Sequence, residues 1–223
     1  MGFKGFGADA IRFYEGLEAD NTRDYWLANK ATYEAAVKGP MQDMLAEVPA
    51  RYQPFTIFRP NRDVRFSKEK TPYKTQCGAV GEAEGGSIYY VQLSAQGLLV
   101  GSGYYAMASD QLERFRSLVD DDATGAEVEA IVAALAKKGF VAGAISEVKT
   151  APRGIRKDHP RIALLRRKGL IVSKQFEPAA WLHTAAARTR VEKVWADAAP
   201  LCEWLDARVG PSELPPDDER WVR

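Results

Sequence analysis

Cysteine and histidine are scarce in this chain of 223 residues, which contains two of each. Cys77 and Cys202 lie far apart and form no CxxC pair, and His159 and His183 stand 24 residues from each other. A zinc site needs closely spaced ligands of these types, so the sequence offers no metal site. We expect both cysteines to be reduced thiols.

Long apolar runs are also missing. No window approaches the roughly 20 apolar residues of a transmembrane helix, and the first residues, MGFKGFGADAIRFY, lack the apolar segment of a signal peptide. Together with the reduced cysteines, these features predict a soluble, cytoplasmic protein that does not bind membranes.

Three motifs of common enzyme classes are absent as well. The chain has no GxSxG and no GxxxxGK[ST], and the GSGYY at 101–105 is not followed by a helical pattern. A serine hydrolase, a P-loop enzyme and a dinucleotide-binding enzyme are therefore disfavoured. We expect no cofactor, and the sequence leaves open whether the protein is an enzyme.

The periodicity of the chain predicts an α+β fold. Helical spacing covers the first 50 residues, with Asp9 and Asn21 as N-cap candidates and a break at Gly39–Pro40, and it returns after Ser109. Alternating patterns between these regions predict strands, including a hairpin that turns at 95–97. We expect an antiparallel sheet in the middle of the chain, covered by N-terminal and C-terminal helices. Residues 1–210 are predicted to form a single domain and 211–223 a polar tail.

Shorter patterns predict individual elements. A helix is expected over 124–138, ending at Gly139, and a short helix over 159–168 with Asp158 as its cap. Strands are expected over 63–67, 145–148 and 170–172.

Positive charge is concentrated in two segments. Residues 59–74 contain six cations and two acids, a net of +4, and residues 149–168 contain eight cations and one acid, a net of +7, whereas the whole chain is +1. Such segments repel each other unless an anion or the protein's own acids lie between them. The pattern therefore predicts a site for phosphate or carboxylate.

Strand alternation suggests how the first segment would build that site. In an extended chain Asp63 and Arg65 share a face, so Asp63 would orient the Arg65 guanidinium to clamp the anion. His159, at the start of the second segment, is the candidate proton donor or acceptor if chemistry occurs. The predicted anion-binding residues are Arg62, Arg65, Lys68, Tyr73 and Lys74 from the first segment and Arg153 and Arg156 from the second.

Other interpretations of the same residues remain open. The cations could be solvated or paired internally, as surface charges commonly are. The basic face could instead dock an acidic protein without any reaction. Single-stranded nucleic acid is a further alternative, with aromatic residues as a stacking platform, although the isoelectric point near 7.7 lacks the basicity typical of such domains. The aromatic residues are Phe66, Tyr73, Tyr89, Tyr90, Tyr104 and Tyr105.

Three longer motifs resemble a known family, the domain of unknown function 2461. They are NTRDYWLANKATYEAAVKGP at 21–40, FRPNRDVRFSKEKTPYKT at 58–75 and PRGIRKDHPRIALLRRKG at 152–169, and the resemblance extends from Phe6 to Leu205. It implies one α+β domain and brings no established activity. The positions that match the family's opening helix are Asn21, Arg23, Trp26, Asn29, Lys30 and Tyr33.

Overall fold

The computed structural model describes residues 2–63, 65 and 70–215. Its α-helices are α1 (Ala8–Ala19), α2 (Arg23–Thr32), α3 (Gly39–Glu47), α4 (Ser109–Asp120), α5 (Asp122–Lys137), α6 (Ile162–Leu165) and α7 (Ala186–Arg208). Its strands are β1 (Phe55–Ile57), β2 (Gln76–Glu82), β3 (Ile88–Ser94), β4 (Gly97–Tyr104), β5 (Val141–Gly143) and β6 (Leu170–Phe176).

One six-stranded sheet, in the order β1-β2-β3-β4-β6-β5, forms the middle of the fold. Each neighbouring pair of strands is antiparallel. The expected α+β class and the antiparallel sheet are thereby confirmed. The hairpin between β3 and β4 turns at Ala95–Gln96, as the sequence predicts.

Helices cover one face of the sheet. α7 packs on β4 and α1 on β3, while α4 and α5 pack beside α7. Strand residues that point toward these helices are almost fully buried; they include Ala79, Val91, Leu93, Leu98, Val100 and Val172, each at most 1% exposed. Because side chains alternate along a strand, the residues between them point to the opposite face. Those residues floor the groove described below.

The N-terminal helices differ from the sequence expectation in three details. Thr22, not Asn21, caps α2, because its hydroxyl accepts the Tyr25 N–H at 3.2 Å. Gly39–Pro40 does not break the helical run, since a π-helix at Tyr33–Lys38 joins α2 to α3. α1 begins after Gly7, so Asp9 lies in its first turn and is not the cap.

Three other boundaries also shift. α5 starts at Asp122, where the Asp121 carboxylate accepts two backbone N–H groups, and Gly139 follows its end. The short strand lies at Val141–Gly143 and not at 145–148, and α6 is only four residues long. The strand expected at 63–67 lies largely outside the described residues. Within the described ranges, no helix is both long and apolar enough to cross a membrane.

Candidate ligand-binding groove

The uncovered face of the sheet contains a groove of about 1290 Å³. β2, β3, β4, β6 and β5 form its floor, and two groups of loop residues form its ends. One end is Phe58 and Lys74; the other consists of Tyr105, Ile145 and Leu214 with their neighbours. The floor residues are Gln76, Gly78, Ile88, Tyr90, Gln92, Leu99, Gly143, Ile171 and Ser173.

The Lys74 end is built by a short antiparallel pairing that extends β1 and β2. Asn61 and Tyr73 form an isolated bridge, and the Lys74 N–H donates to the Pro60 carbonyl at 2.8 Å. Lys74 and Gln76 are two residues apart along this extension, so both side chains point to the open face. This segment therefore delivers a lysine to the entrance of the groove.

Asn21 and Trp26 lock this segment in place. The Asn21 carboxamide accepts the Tyr73 N–H at 3.1 Å and donates to the Tyr73 carbonyl at 3.0 Å, as a second peptide group would. The Tyr73 ring stacks on Trp26 with centroids 4.4 Å apart and an interplanar angle of 10°. Two of the three sequence motifs thus meet here. Tyr73 is 7% exposed and packs in the core, one residue before the groove lysine.

Positive charge converges at Lys74. Burial lowers the pKa of Lys74, and the nearby charges of Arg59 and Arg62 lower it further. The ammonium lies 5.3 Å from the Phe58 ring centroid, within the range of a cation–π contact. Among the described residues, none of these three cations forms an ion pair with a carboxylate. We call Arg59, Arg62 and Lys74 the cationic end of the groove.

Amide groups line the floor next to the cationic end. The Tyr90 hydroxyl donates to Oε1 of Gln92 at 2.7 Å, and the Thr75 hydroxyl donates to Oε1 of Gln76 at 3.3 Å. Both glutamine NH₂ groups are left without a partner in the described part of the chain. Gly78 pairs directly with Gln92, and an added Cβ there would be 2.7 Å from the Tyr90 hydroxyl. Burial is the main cause that raises the pKa of Tyr90, so the Tyr90 hydroxyl remains protonated and can donate.

Arg65 and Arg156, the predicted clamps of the anion, are each bound to an acid two residues away. Nη2 of Arg65 lies 2.6 Å from Asp63, and Nη2 of Arg156 lies 2.7 Å from Asp158. Hydrogen bonds from Arg65 lower the pKa of the Asp63 carboxyl, and the orienting role of Asp63 stays a prediction. Both arginines are largely exposed, at 76% and 81% of their side chains.

His159 lies away from the groove, against the end of α4. Its Nδ1 accepts the Arg161 N–H at 3.0 Å, and its Nε2 lies 3.3 Å from Asp120. These contacts engage both ring nitrogens and fix the tautomer in which Nε2 carries the proton. Arg153 lines a smaller cleft beside α4. No residue of 149–168 lines the groove, whereas Lys74 does; Lys68 lies outside the described residues.

The basic second segment is instead largely occupied with structural contacts. Nε of Arg161 donates to the Val119 carbonyl at 2.7 Å, and its Nη2 lies 3.0 Å from Asp122. The guanidinium thus neutralises the C-terminal end of α4, where helix carbonyls lack partners. Arg166 likewise donates to the Val148 carbonyl at 2.7 Å, and Arg167 lies 3.3 Å from Glu147.

Sequence reasoning missed three contributors to this groove. Arg59 was counted only as charge, Asn21 was assigned to a cap, and the floor glutamines carried no signal beyond strand alternation. The available clue to the Asn21–Tyr73 contact was that NTRDYW and KTPYK both occur in this chain. Spacing alone could not predict the contact, because Asn21 and Tyr73 are 52 residues apart and meet only in the tertiary structure.

These features define an α+β protein in which helices pack on one face of the sheet and, among the described residues, the other face bears a groove. The family model described as "Conserved hypothetical protein (DUF2461)" matches residues 9–204, so the chain belongs to that family. No curated protein and no solved structure gives a significant match to the chain.

Proposed function

We propose that this protein binds a small organic anion, with the carboxylate or phosphate held at the cationic end of the groove. The supporting observation is that Lys74 is partly buried beside two arginines, with no carboxylate paired to any of the three in the described chain. Burying a cation next to like charges costs free energy. A bound anion would offset this cost, which a solvated surface lysine does not have.

The contacts of the other predicted residues favour this location over one between Arg65 and Arg156. In each of those two arginines, Nε and Nη2 already donate to a carboxylate, that of Asp63 or Asp158, which partly neutralises the positive charge available to an incoming anion. Arg62 and Lys74 carry no such partner among the described residues. The participation of Arg65, Lys68, Arg153 and Arg156, and a proton-transfer role for His159, remain predictions.

The open face also bears on the nucleic-acid alternative. Tyr89 lies near Trp195 of α7, with ring centroids 5.8 Å apart, and the Tyr104 hydroxyl lies 3.0 Å from Asp206 of the same helix. Both rings therefore point to the covered face. Of the aromatic residues in the predicted stacking platform, Tyr90 and Tyr105 line the groove, and Phe58 lines it as well. Phe66 lies outside the described residues. Because Tyr89 and Tyr104 point away from the groove, the platform in the described structure is shorter than the sequence suggested.

Thermal unfolding with added anions tests the proposal. Phosphate, sulfate and acetate are titrated at constant ionic strength set with sodium chloride, and we expect at least one of them to raise the melting temperature in a saturable way. Lys74→Met should lose this response while keeping or increasing the melting temperature without anion, because the substitution removes a partly buried, repelled charge. Lys30→Met, at an exposed position of α2, is the matched control.

Two results would overturn the proposal. One is a wild-type protein whose melting temperature responds to phosphate, sulfate and acetate no more than to chloride. The other is a Lys74→Met variant with the full wild-type response. A loss of response in Lys30→Met as well would show a nonspecific charge effect and count against the groove.

A further inference from the structure

The groove is too long for a simple inorganic anion. Five adjacent strands form its floor, and four interstrand spacings of about 4.8 Å give a width of about 19 Å. Its volume of about 1290 Å³ exceeds the roughly 300–1,000 Å³ of ordinary small-molecule pockets. A phosphate or acetate at Lys74 would occupy one end and leave the rest to water.

Charge is confined to that end. Lys74 is the one charged residue among the described residues that line the groove. A ligand with phosphates repeated along its length would therefore place most of them where no cation faces them. The arrangement fits a ligand with a single anionic terminus.

The middle of the floor presents hydrogen-bond donors. The carbonyl oxygens of Gln76 and Gln92 accept from Thr75 and Tyr90, and in the described structure the NH₂ groups of both glutamines have no partner. Ser173 adds a hydroxyl on β6. An alkyl chain across these groups would cover them without satisfying them, which is unfavourable. Carbonyl oxygens spaced along an extended ligand would satisfy them.

The far end is apolar and exposed to solvent. Tyr105, Ile145 and Leu214 are 41%, 51% and 46% exposed, and they account for three of the five large hydrophobic side chains exposed in the described chain. Tyr105 and Ile145 are joined through the Ile145 N–H, which donates to the Tyr105 carbonyl at 2.9 Å. Clustered exposed apolar groups are typical of a contact surface.

Gly143 leaves open space at the β5 edge of the floor, two residues before Ile145. It pairs with Ile171, so a side chain there would point into the groove, and an added Cβ would meet no atom within 4 Å. Its φ is not positive, so the backbone conformation does not require glycine. The missing side chain preserves space above the floor.

We infer that the ligand is a short, extended peptide whose terminal carboxylate lies at the cationic end, whose backbone carbonyls accept from Gln76 and Gln92, and whose apolar side chains contact Tyr105 and Ile145. This inference rests on the proposed function, since it specifies the anion as a carboxylate terminus. About six residues at about 3.3 Å each would span the groove.

Fluorescence polarisation with a defined peptide pool tests the inference. The probe is a pooled hexapeptide library with an N-terminal fluorescein, apolar residues at its first two positions and a free C-terminal carboxylate; the same pool with C-terminal amides is its control. We expect the amidated pool to bind at least about tenfold more weakly. Unlabelled palmitate, an amide-free carboxylate, is expected to compete more weakly than the unlabelled pool.

Gly143→Leu separates the peptide inference from simple anion binding. The substitution should weaken the peptide pool by at least about tenfold while leaving the phosphate, sulfate and acetate responses of the previous experiment unchanged. Val141→Leu is the matched control, because Val141 lies on the same strand, is 70% exposed and does not line the groove. Gly143→Ala provides a milder block should the leucine variant unfold, and its expected peptide loss is smaller but measurable.

Each outcome decides one of the two proposals. Three outcomes would overturn the peptide inference alone if the anion response is intact. They are equal binding of the free-carboxylate and amidated pools, peptide binding that neither Gly143 variant affects, and competition by palmitate that equals that of the peptides. Absence of any anion response in the wild-type protein would overturn the proposed function. Peptide binding that requires the free carboxylate, Lys74 and the space at Gly143 would establish the inference.

Discussion

Replacing Asn21 by alanine should destabilise the protein and disturb the groove although Asn21 does not line it. The substitution removes both hydrogen bonds to Tyr73 and leaves one backbone N–H and one C=O of that buried residue without their partners. Each orphaned group costs about 1–3 kcal/mol. Because the Asn21 site is partly buried and water can reach it, we take the lower end for each and expect a loss of about 2 kcal/mol.

Urea unfolding followed by tryptophan fluorescence measures this loss, since Trp26 stacks on Tyr73 and reports locally. Asn29→Ala is the matched control: its amide makes a single bond, 2.9 Å long, to the Tyr25 carbonyl one helical turn away. There the better helix propensity of alanine offsets the lost bond, by up to about 0.7 kcal/mol. We expect the control to stay within about 0.5 kcal/mol of wild type.

Asn21→Ala should have a second effect, on anion binding. Because Asn21 and Trp26 hold the segment that carries Lys74, Asn21→Ala should also weaken the response to anions in the protein that remains folded. Two results would refute the idea that the 21–40 motif positions the 58–75 motif. One is a free energy of unfolding of the variant within about 0.5 kcal/mol of wild type, and the other is unchanged anion binding in the variant.

Two further predictions concern residues outside the groove. Arg161→Met should lower the free energy of unfolding in urea by about 3 kcal/mol, because it removes a 6% exposed guanidinium from the carbonyls that end α4. Arg156→Ala, at a largely exposed ion pair, should leave the urea midpoint unchanged, and equal effects of the two substitutions would contradict this expectation. Burial raises the pKa of Cys77 from 9.0 to about 11 and also raises that of Cys202. The folded state therefore keeps thiol protons that the unfolded state releases, so stability should fall as pH rises from 9 to 11. Both thiols should react with a disulfide reagent slowly in the native protein and rapidly in urea, and fast native labelling would contradict their burial.

Local features of the sequence predicted the elements well where the physics is local. The turn at Ala95–Gln96 and the end of α5 before Gly139 depend on residues adjacent in the chain, and both lie where expected. Asp121 caps α5 by the same short-range hydrogen bonding, although its position was not foreseen. The class of fold followed from the order of such elements.

The candidate site was predicted less completely, because two of the arginines expected to meet around an anion form ion pairs with acids close to them in sequence. Asp63 lies two residues before Arg65, and Asp158 two residues after Arg156, so each arginine has a carboxylate at almost no cost in chain entropy. Charge counting showed two basic segments in a chain whose other residues are net acidic. It did not distinguish a cation satisfied by its neighbour from one, such as Lys74, that is left without a carboxylate among the described residues.

The sequence by itself determined the elements, the family and the concentration of charge near Lys74, because these depend on residue types and on spacings of a few positions. Tertiary structure alone decided which sheet face stays open. Alternation requires Tyr89 and Tyr90 to point in opposite directions, but only the packing of α7 on the sheet places Tyr89 inside and Tyr90 in the groove. The meeting of Asn21 with Tyr73 likewise needed the closure of a 52-residue separation, which no local pattern encodes.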